Sequence, residues 1–303
     1  MYQFDYLIVG PGAMGLYVAA NLYNAGLQTA ILDYKPERAA ILNDSGINLI
    51  SAEGTTITVP IPVTCNPEIV TQSRTIIIIT KSYSTSDAGK LIEPFINDNV
   101  ILTVQNGLGN FEKLETIMTN KTIIAGSTTQ GTLRISINTV QNTGNGIISI
   151  GSNSSISAII CNDFNKAGMK TTISDNINQV LWGKAVINSA INPLGAITNK
   201  KNGELLLSEG TMDLMRDVIF ESVAVANGMG VNLSFNEYLD KTINICRATA
   251  GNTNSMLSDI LNKKQTEIDA INGKITEYGE KLNISVPVNK TLWKLVKTLE
   301  KSV

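Results

Sequence analysis

A glycine-rich turn set between a strand and a helix constrains this chain more than any other feature. Phe4–Val9 is a short apolar run, followed at once by Gly10-Pro11-Gly12-Ala13-Met14-Gly15. An amphipathic segment, Leu16–Ala25, comes next, with Gly26 placed to stop it and Thr29–Leu32 reading as a second strand. In such a turn the first glycine permits the tight bend and the second lets a pyrophosphate approach the backbone. The third lets helix and strand pack closely. The helix N-terminus then faces the phosphates. Alone the motif is weak, but strand–turn–helix–strand is the context that gives it meaning, and it predicts dinucleotide binding. A merely tight turn is the bland alternative.

Cofactor choice is divided at the end of the second strand. Asp33 stands where a carboxylate would hydrogen-bond the adenosine ribose and favour NAD. Lys35 and Arg38 follow immediately, and either would suit a 2′-phosphate. A solvated start to the helix Pro36–Asn43 is the plain reading of all three.

Further strands are expected at Thr75–Ile79 and Val100–Val104. Each ends in polar residues, Thr80-Lys81-Ser82 and Gln105-Asn106-Gly107-Leu108-Gly109, at what would be the carboxyl edge of a parallel sheet. Ligands of open α/β sheets bind at that edge, so Lys81 and Asn106 are candidates for cofactor or substrate contact. Thr122–Ala125 leads into Thr128–Ile150, whose alternation and Gly144-Asn145-Gly146 turn predict antiparallel strands closing the domain. Ser157–Met169 and Thr171–Ser174 carry the chain onward. From Gln179 the strand signals fade, and helical periodicity marks Gln179–Ile197, Thr211–Asn227, Phe235–Ala250, Ser258–Leu282 and Asn289–Lys301. The expected architecture is α/β: a Rossmann-type dinucleotide-binding domain over 1–173, then an all-helical substrate and catalytic domain over 174–303.

Composition narrows the chemistry. Among 303 residues there is no histidine, which removes Ser–His and Cys–His pairs, the imidazole-based zinc sets and any His–Asp relay. Acid–base work would fall to Lys, a carboxylate, Tyr or Cys. A net charge of −2 carries no nucleic-acid footprint. No run approaches the ~20 apolar residues of a membrane span, and Met1 leads almost directly into a strand rather than a signal peptide. Cys65, Cys161 and Cys246 have no paired spacing and read as reduced thiols of a cytoplasmic protein.

Leu181–Asn192, LWGKAVINSAIN, then supplies the chemistry. Lys184, Asn188 and Asn192 recur every four residues, so on a helix they share one face. Nearly everything between them is apolar or small, so the helix should be buried. Burying a cation and two amides without partners is costly, so they either meet one another and their neighbours or face a pocket that a ligand fills; the stripe reads as the reactive edge of an active site, with a solvated helix face as the plain alternative. Farther along, Asn254–Asp259 is a helix-start signal. Glu267 lies beside Ile268, Ile271 and Ile275, placed to be drawn partly into the core; carboxylates at such spacing are usually solvated.

Together these segments resemble the ketopantoate reductase (2-dehydropantoate 2-reductase) family, within the 6-phosphogluconate-dehydrogenase-like group. The resemblance rests on GPGAMG, TKS at Lys81, QNGLGN around Asn106, WGKAVINSAINPLGAI, NGEL at Asn202–Leu205, and NSMLSD with TEIDAING between Asn254 and Gly273. It implies NAD(P)H-dependent reduction of ketopantoate to (R)-pantoate, in pantothenate and coenzyme A biosynthesis. By the resemblance, Lys184 is the proton donor, with Glu267 in the catalytic set. Asn188 and Asn192 hold substrate oxygens, and Asn202 and Ser255 complete the substrate site, Ser255 at the carboxylate. Asn106 bridges substrate and nicotinamide, while Lys81 and Glu267 lie near the ribose–nicotinamide end. Gly131-Thr132 falls where the family's backbone meets the cofactor, although a small residue is more usual at Thr132. The resemblance implies an active site in the cleft between the two domains.

NADPH-using members often carry an arginine where this chain has Tyr34. The resemblance favours NADPH, with Lys35 or Arg38 as the substitute phosphate partner, while Asp33 and Tyr34 leave NADH open. The expected partner is a small 2-keto acid, with no nucleic acid and no membrane; homodimerisation is left open. A β-hydroxyacid dehydrogenase, a reductase of another branched 2-keto acid and a non-catalytic dinucleotide sensor are the competing readings.

Overall fold

The computed structural model describes residues 2–152 and 154–301; Met1, Asn153 and the terminal Ser302 and Val303 lie outside it. The chain divides into two compact units. The first comprises residues up to Asn106 and Asn110–Ile177, the second Gly107–Gly109 and the residues from Asn178 onward.

The first unit opens with β1 (Phe4–Val9), α1 (Ala13–Asn24), β2 (Thr29–Leu32) and α2 (Pro36–Ser45). The helix α1 thus begins inside the glycine motif, three residues earlier than hydrophobic periodicity alone places it. Then come β3 (Ile47–Ile50), β4 (Thr56–Val59), β5 (Val63–Thr64), β6 (Ser73–Ile78), α3 (Thr85–Ile92), β7 (Val100–Thr103) and α4 (Asn110–Ile117). The unit continues through β8 (Thr122–Thr128), β9 (Gly131–Arg134), β10 (Thr139–Gly144), β11 (Ile148–Gly151), α5 (Ser154–Lys166) and β12 (Thr171–Ser174).

An eight-stranded sheet runs β12-β11-β8-β7-β6-β1-β2-β5, parallel except where β11 meets β8. Its centre explains the apolar run that opens the chain. Tyr6 and Ile8 belong to one hydrophobic cluster, Phe4, Leu7 and Val9 to another, so β1 is covered on both faces. A strand buried on both sides reads as continuous rather than alternating hydrophobicity. The order reverses beside β1, with β2 to one side and β6 to the other, and such a switch point opens a crevice at the carboxyl ends.

The antiparallel strands expected over 128–150 are present, β9 against β10 and β11 against β8, but they are divided between two sheets. β11 joins β8 in the large sheet; β9 and β10 join β3 and β4 in a separate four-stranded sheet of order β4-β3-β10-β9. Here β10 pairs in parallel with β3, Val140 opposite Leu49.

The second unit is helical: α6 (Ile177–Thr198), α7 (Glu209–Gly228), α8 (Phe235–Ala248), α9 (Ser255–Leu261), α10 (Asn272–Leu282) and α11 (Pro287–Lys301), with a 3-10 turn over Asn202–Leu207. Trp182, Val186, Ala190 and Leu194 of α6 pack with Met215, Val218 and Ile219 of α7 and Leu292 of α11. The long helix expected over Ser258–Leu282 is instead two. Lys263 takes a left-handed conformation, φ +54°, which ends α9, and a 3-10 turn at Ile268–Ala270 intervenes before α10. Glu267 sits in that break. Among the described residues no helix is long and apolar enough to cross a membrane, no cluster is suited to holding a metal ion, and all three cysteines are free.

Candidate active site

The glycine turn is built as its chemistry requires. Gly10 has φ +108°, a region open to glycine and strained for other residues. A side-chain carbon on Gly15 would lie 2.1 Å from the Gly10 carbonyl oxygen, so helix and turn approach each other only because none is there. Gly12 is different: a carbon added there would meet nothing within 4 Å, leaving open space above the backbone. Gly12 is also the N-cap of α1, with no side chain capping the helix and no acidic residue in its first turn. The first N–H groups of a helix lack intrahelical partners. Open space at Gly12, uncapped donors at Ala13, Met14 and Gly15, and the absence of a competing carboxylate together fit a dinucleotide pyrophosphate.

At the end of β2, Asp33 is buried, at 2% exposure. Its Oδ1 accepts from the N–H groups of Tyr34 at 2.7 Å and Lys35 at 3.1 Å. Arg38 grips it bidentately, Nε to Oδ2 at 2.6 Å and Nη2 to Oδ1. Both carboxylate oxygens are therefore engaged within the chain. Lys35 and Tyr34 stand exposed beside them.

Lys81 and Asn106, both half-buried, follow β6 and β7 at the same carboxyl edge as the glycine turn. Gln105 joins their loops. Its Nε2 donates to the Thr80 carbonyl at 2.9 Å and to Thr85 Oγ1 at 2.8 Å, while Thr103 Oγ1 donates to its Oε1 at 2.9 Å. Asn110 then donates to the Asn106 carbonyl at 2.8 Å. Sequence reasoning assigned Gln105 no role, because its work is visible only once neighbouring strand ends are paired. Thr132 lies on β9, opposite Asn142 of β10.

In the second unit Lys184, Asn188 and Asn192 all lie on α6, at the four-residue spacing that keeps them on one face. Burial pushes the Lys184 ammonium down from 10.5 to about 8, and the negative charge of Glu267 acts against that fall. Glu267 itself is 6% exposed, so the weak sequence signal concerned a residue that the fold does bury. The side chains of Asn188 and Asn192 have no hydrogen-bond partner among the described residues, although Asn192 is 6% exposed. A desolvated cation and two available amides on one face are what a polar, oxygen-bearing ligand needs.

The helix that carries them contains Pro193. Proline has no N–H for the carbonyl four residues back, here that of Ser189. Asn272, fully buried at the start of α10, supplies the missing donor: its Nδ2 lies 2.9 Å from the Ser189 carbonyl. Asn272 also donates to Asn289 Oδ1 at 3.0 Å, and Asn289 in turn donates to Glu221 at 2.9 Å. The proline announced a need for an outside donor, but nothing in the sequence said which residue would meet it.

Asn254 caps α9, accepting from Leu257 N–H at 3.0 Å, and thereby sets the exposed Ser255 at the helix start. Its amide lies so close to α6 that a side-chain carbon on Gly195 would come within 2.1 Å of it. Asn202 is buried, its Nδ2 donating to Thr249 Oγ1 at 2.9 Å and its Oδ1 left without a partner. Leu108 packs in the core of the second unit, its N–H donating to the Ala270 carbonyl at 2.7 Å, three residues past Glu267.

Comparison with known proteins finds relatives over nearly the whole chain. A model of the ketopantoate reductase PanE/ApbA family matches residues 6–155, and a model of the C-terminal part of the same family matches residues 176–300. A 2-dehydropantoate 2-reductase of Pyrococcus horikoshii is 35% identical over 97% of this chain and 96% of its own. The crystal structure of a PanE/ApbA family ketopantoate reductase from Ralstonia eutropha superposes with a TM-score of 0.92 at 28% identity, covering 98% of this chain and 99% of that one. A D-mandelate dehydrogenase solved with NADH and anilino(oxo)acetate has the same fold, with a TM-score of 0.91 at 24% identity and 98% of each chain covered.

Proposed function

The chain belongs to the ketopantoate reductase family, and from that premise we propose that it reduces 2-dehydropantoate to (R)-pantoate with a reduced nicotinamide dinucleotide. In this reading residues 1–173 bind the dinucleotide and residues 174–303 bind the substrate and supply the acid. The observation that carries it is Lys184: a desolvated ammonium near Glu267, on one helix face with two available amides.

Reduction of a ketone builds negative charge on its oxygen. A bound reduced nicotinamide supplies the hydride. Lys184 stabilises the growing charge and gives its proton to that oxygen, and a pKa of about 8 suits an acid working near neutrality. Asn188 and Asn192 orient the substrate's oxygens. Asn202 and Ser255 complete the substrate site, with Ser255 at the carboxylate. Asn106 would contact substrate and nicotinamide, and Lys81 and Glu267 would serve the ribose–nicotinamide end. Gly10, Pro11, Gly12, Ala13, Met14 and Gly15 would hold the pyrophosphate, and the Gly131-Thr132 backbone would meet the dinucleotide.

NADPH is the proposed cofactor. Asp33 is already occupied by Arg38 and two backbone N–H groups, which favours the cations Lys35 and Arg38 as the groups that meet the adenosine end.

The test is an NAD(P)H oxidation assay with 2-dehydropantoate, run with each nicotinamide in turn beside a panel of other branched 2-keto acids. Oxidation fastest with 2-dehydropantoate and NADPH is expected, and Lys184→Ala should lose about 10²- to 10⁴-fold in rate while still binding cofactor. Turnover of another keto acid in preference would overturn the substrate assignment. Near-wild-type turnover by the variant would overturn the acid.

A further inference from the structure

Arg134 ends β9, 123 residues from the glycine turn, yet its Nη1 donates to the Pro11 carbonyl at 3.2 Å. Its Nε donates to the Ser136 carbonyl at 3.0 Å and its Nη2 to the Ile137 carbonyl at 2.7 Å. Three backbone carbonyls thus hold a half-buried guanidinium in one place. A guanidinium has five N–H donors, so these bonds leave two for a ligand. No carboxylate lies within ion-pair distance of it among the described residues.

Its electrostatic surroundings are those of the β2 corner. Burial and the positive charge of Arg38 both work against the charge on Arg134, and Asp33 favours it. Arg38 has its own counter-ion in the bidentate Asp33, whose oxygens are fully engaged. Arg134 has none. Two neighbouring guanidiniums, both partly withdrawn from water and only one of them paired with a carboxylate, repel each other unless an anion joins them. Tying β9 to the glycine turn would not require a charge, since a neutral amide can donate to the Pro11 carbonyl equally well.

We infer that Arg134 is a cofactor-selecting residue, forming with Arg38 a two-arginine cradle beside Pro11 and Gly12 for the 2′-phosphate of a phosphorylated dinucleotide. Guanidiniums hold phosphate oxygens through short, charge-assisted and often bidentate bonds. Arg134 is already fixed and lacks a counter-ion, whereas Arg38 must share itself with Asp33. The inference rests on the proposed dinucleotide site and adds to it the residue that reads the phosphate.

The experiment is a binding titration of the full chain with four probes: NADPH, NADH, 2′,5′-ADP and 5′-AMP. Arg134→Gln keeps a donor for the Pro11 carbonyl and removes the charge. It should weaken NADPH and 2′,5′-ADP about tenfold or more, and NADH and 5′-AMP by less than about twofold. Arg134→Lys, which keeps the charge, should retain part of the preference for the phosphorylated pair. Equal weakening of all four probes by Arg134→Gln would make the residue a scaffold and overturn the inference, as would an unchanged affinity for 2′,5′-ADP. Wild-type protein that binds NADH but rejects NADPH would overturn it while leaving the dinucleotide site standing. Failure to bind either dinucleotide would remove both.

Discussion

Replacing Lys184 with methionine should destroy activity while relieving the fold of a charge that it holds at a cost. Burial takes this ammonium from 10.5 to about 8. Between those two values the unfolded chain binds the proton and the folded chain does not, so stability rises with pH across that window. Below the folded value the cost is present in full, about 3 kcal/mol at pH 7. By pH 9.5 the folded lysine is almost entirely neutral while the unfolded one is still charged, and the residual cost is about 1.4 kcal/mol. The wild type should therefore gain about 2 kcal/mol from this one residue between pH 7 and 9.5. Lys184→Met gains nothing from it. Denaturant unfolding of both proteins at the two pH values gives four stabilities, and their double difference cancels the other titrating groups, whose surroundings the substitution leaves alone. Removing the charge that Glu267 meets at position 184 adds an offset common to both pH values, so it too drops out. A gap between the two proteins that stays constant with pH, or widens in favour of the variant as pH rises, would mean that the ammonium is solvated like a free one. Lys184 would then not be a tuned acid.

Three further outcomes are expected. The kcat/KM profile should fall above about pH 8, and Glu267→Gln should move that alkaline limb to lower pH, because the carboxylate's charge holds the lysine up; a limb that stays in place would show that the two groups do not interact. Gly15→Ala should abolish measurable dinucleotide binding in a fluorescence titration, since the added carbon would lie 2.1 Å from the backbone oxygen of Gly10 and the turn must open to admit it; retained affinity would refute the close approach. Asn272→Leu should destabilise the chain by about 1–3 kcal/mol, as the buried Ser189 carbonyl loses its donor. The cost should shrink in a Pro193→Ala background, where residue 193 regains an N–H, and an equal cost in both backgrounds would contradict the substitution of one donor for the other.

The dinucleotide turn was legible because Gly10 and Gly15 answer local demands, a positive φ and a close approach, that sequence spacing expresses directly. The Lys184–Asn188–Asn192 stripe was legible for the same reason, its period being that of the helix itself. What escaped notice depends on distant pairing. β3 and β4 are four-residue strands, INLI and TITV, whose alternation is too short to distinguish from a polar loop. They become strands by pairing with β10 and with each other. The break between α9 and α10 hinges on Lys263, whose positive φ is not one that its residue type announces. Gln105 and Asn272 are amides among many in this chain, and only assembled neighbours show what each one holds. Arg134 was hidden similarly, being a lone cation on a polar hairpin until the fold brings it to Pro11.

The borrowed donor at Pro193 has a consequence for how the protein is made. The helix bearing Lys184 is complete in sequence once Thr198 has been synthesised, but the amide that satisfies its interior arrives 83 residues after Ser189. On the ribosome the stretch around Ser189 must rely on water until α10 emerges and docks. The part of the chain proposed to perform the chemistry would therefore reach its final form late, under the control of a segment that need not touch the substrate.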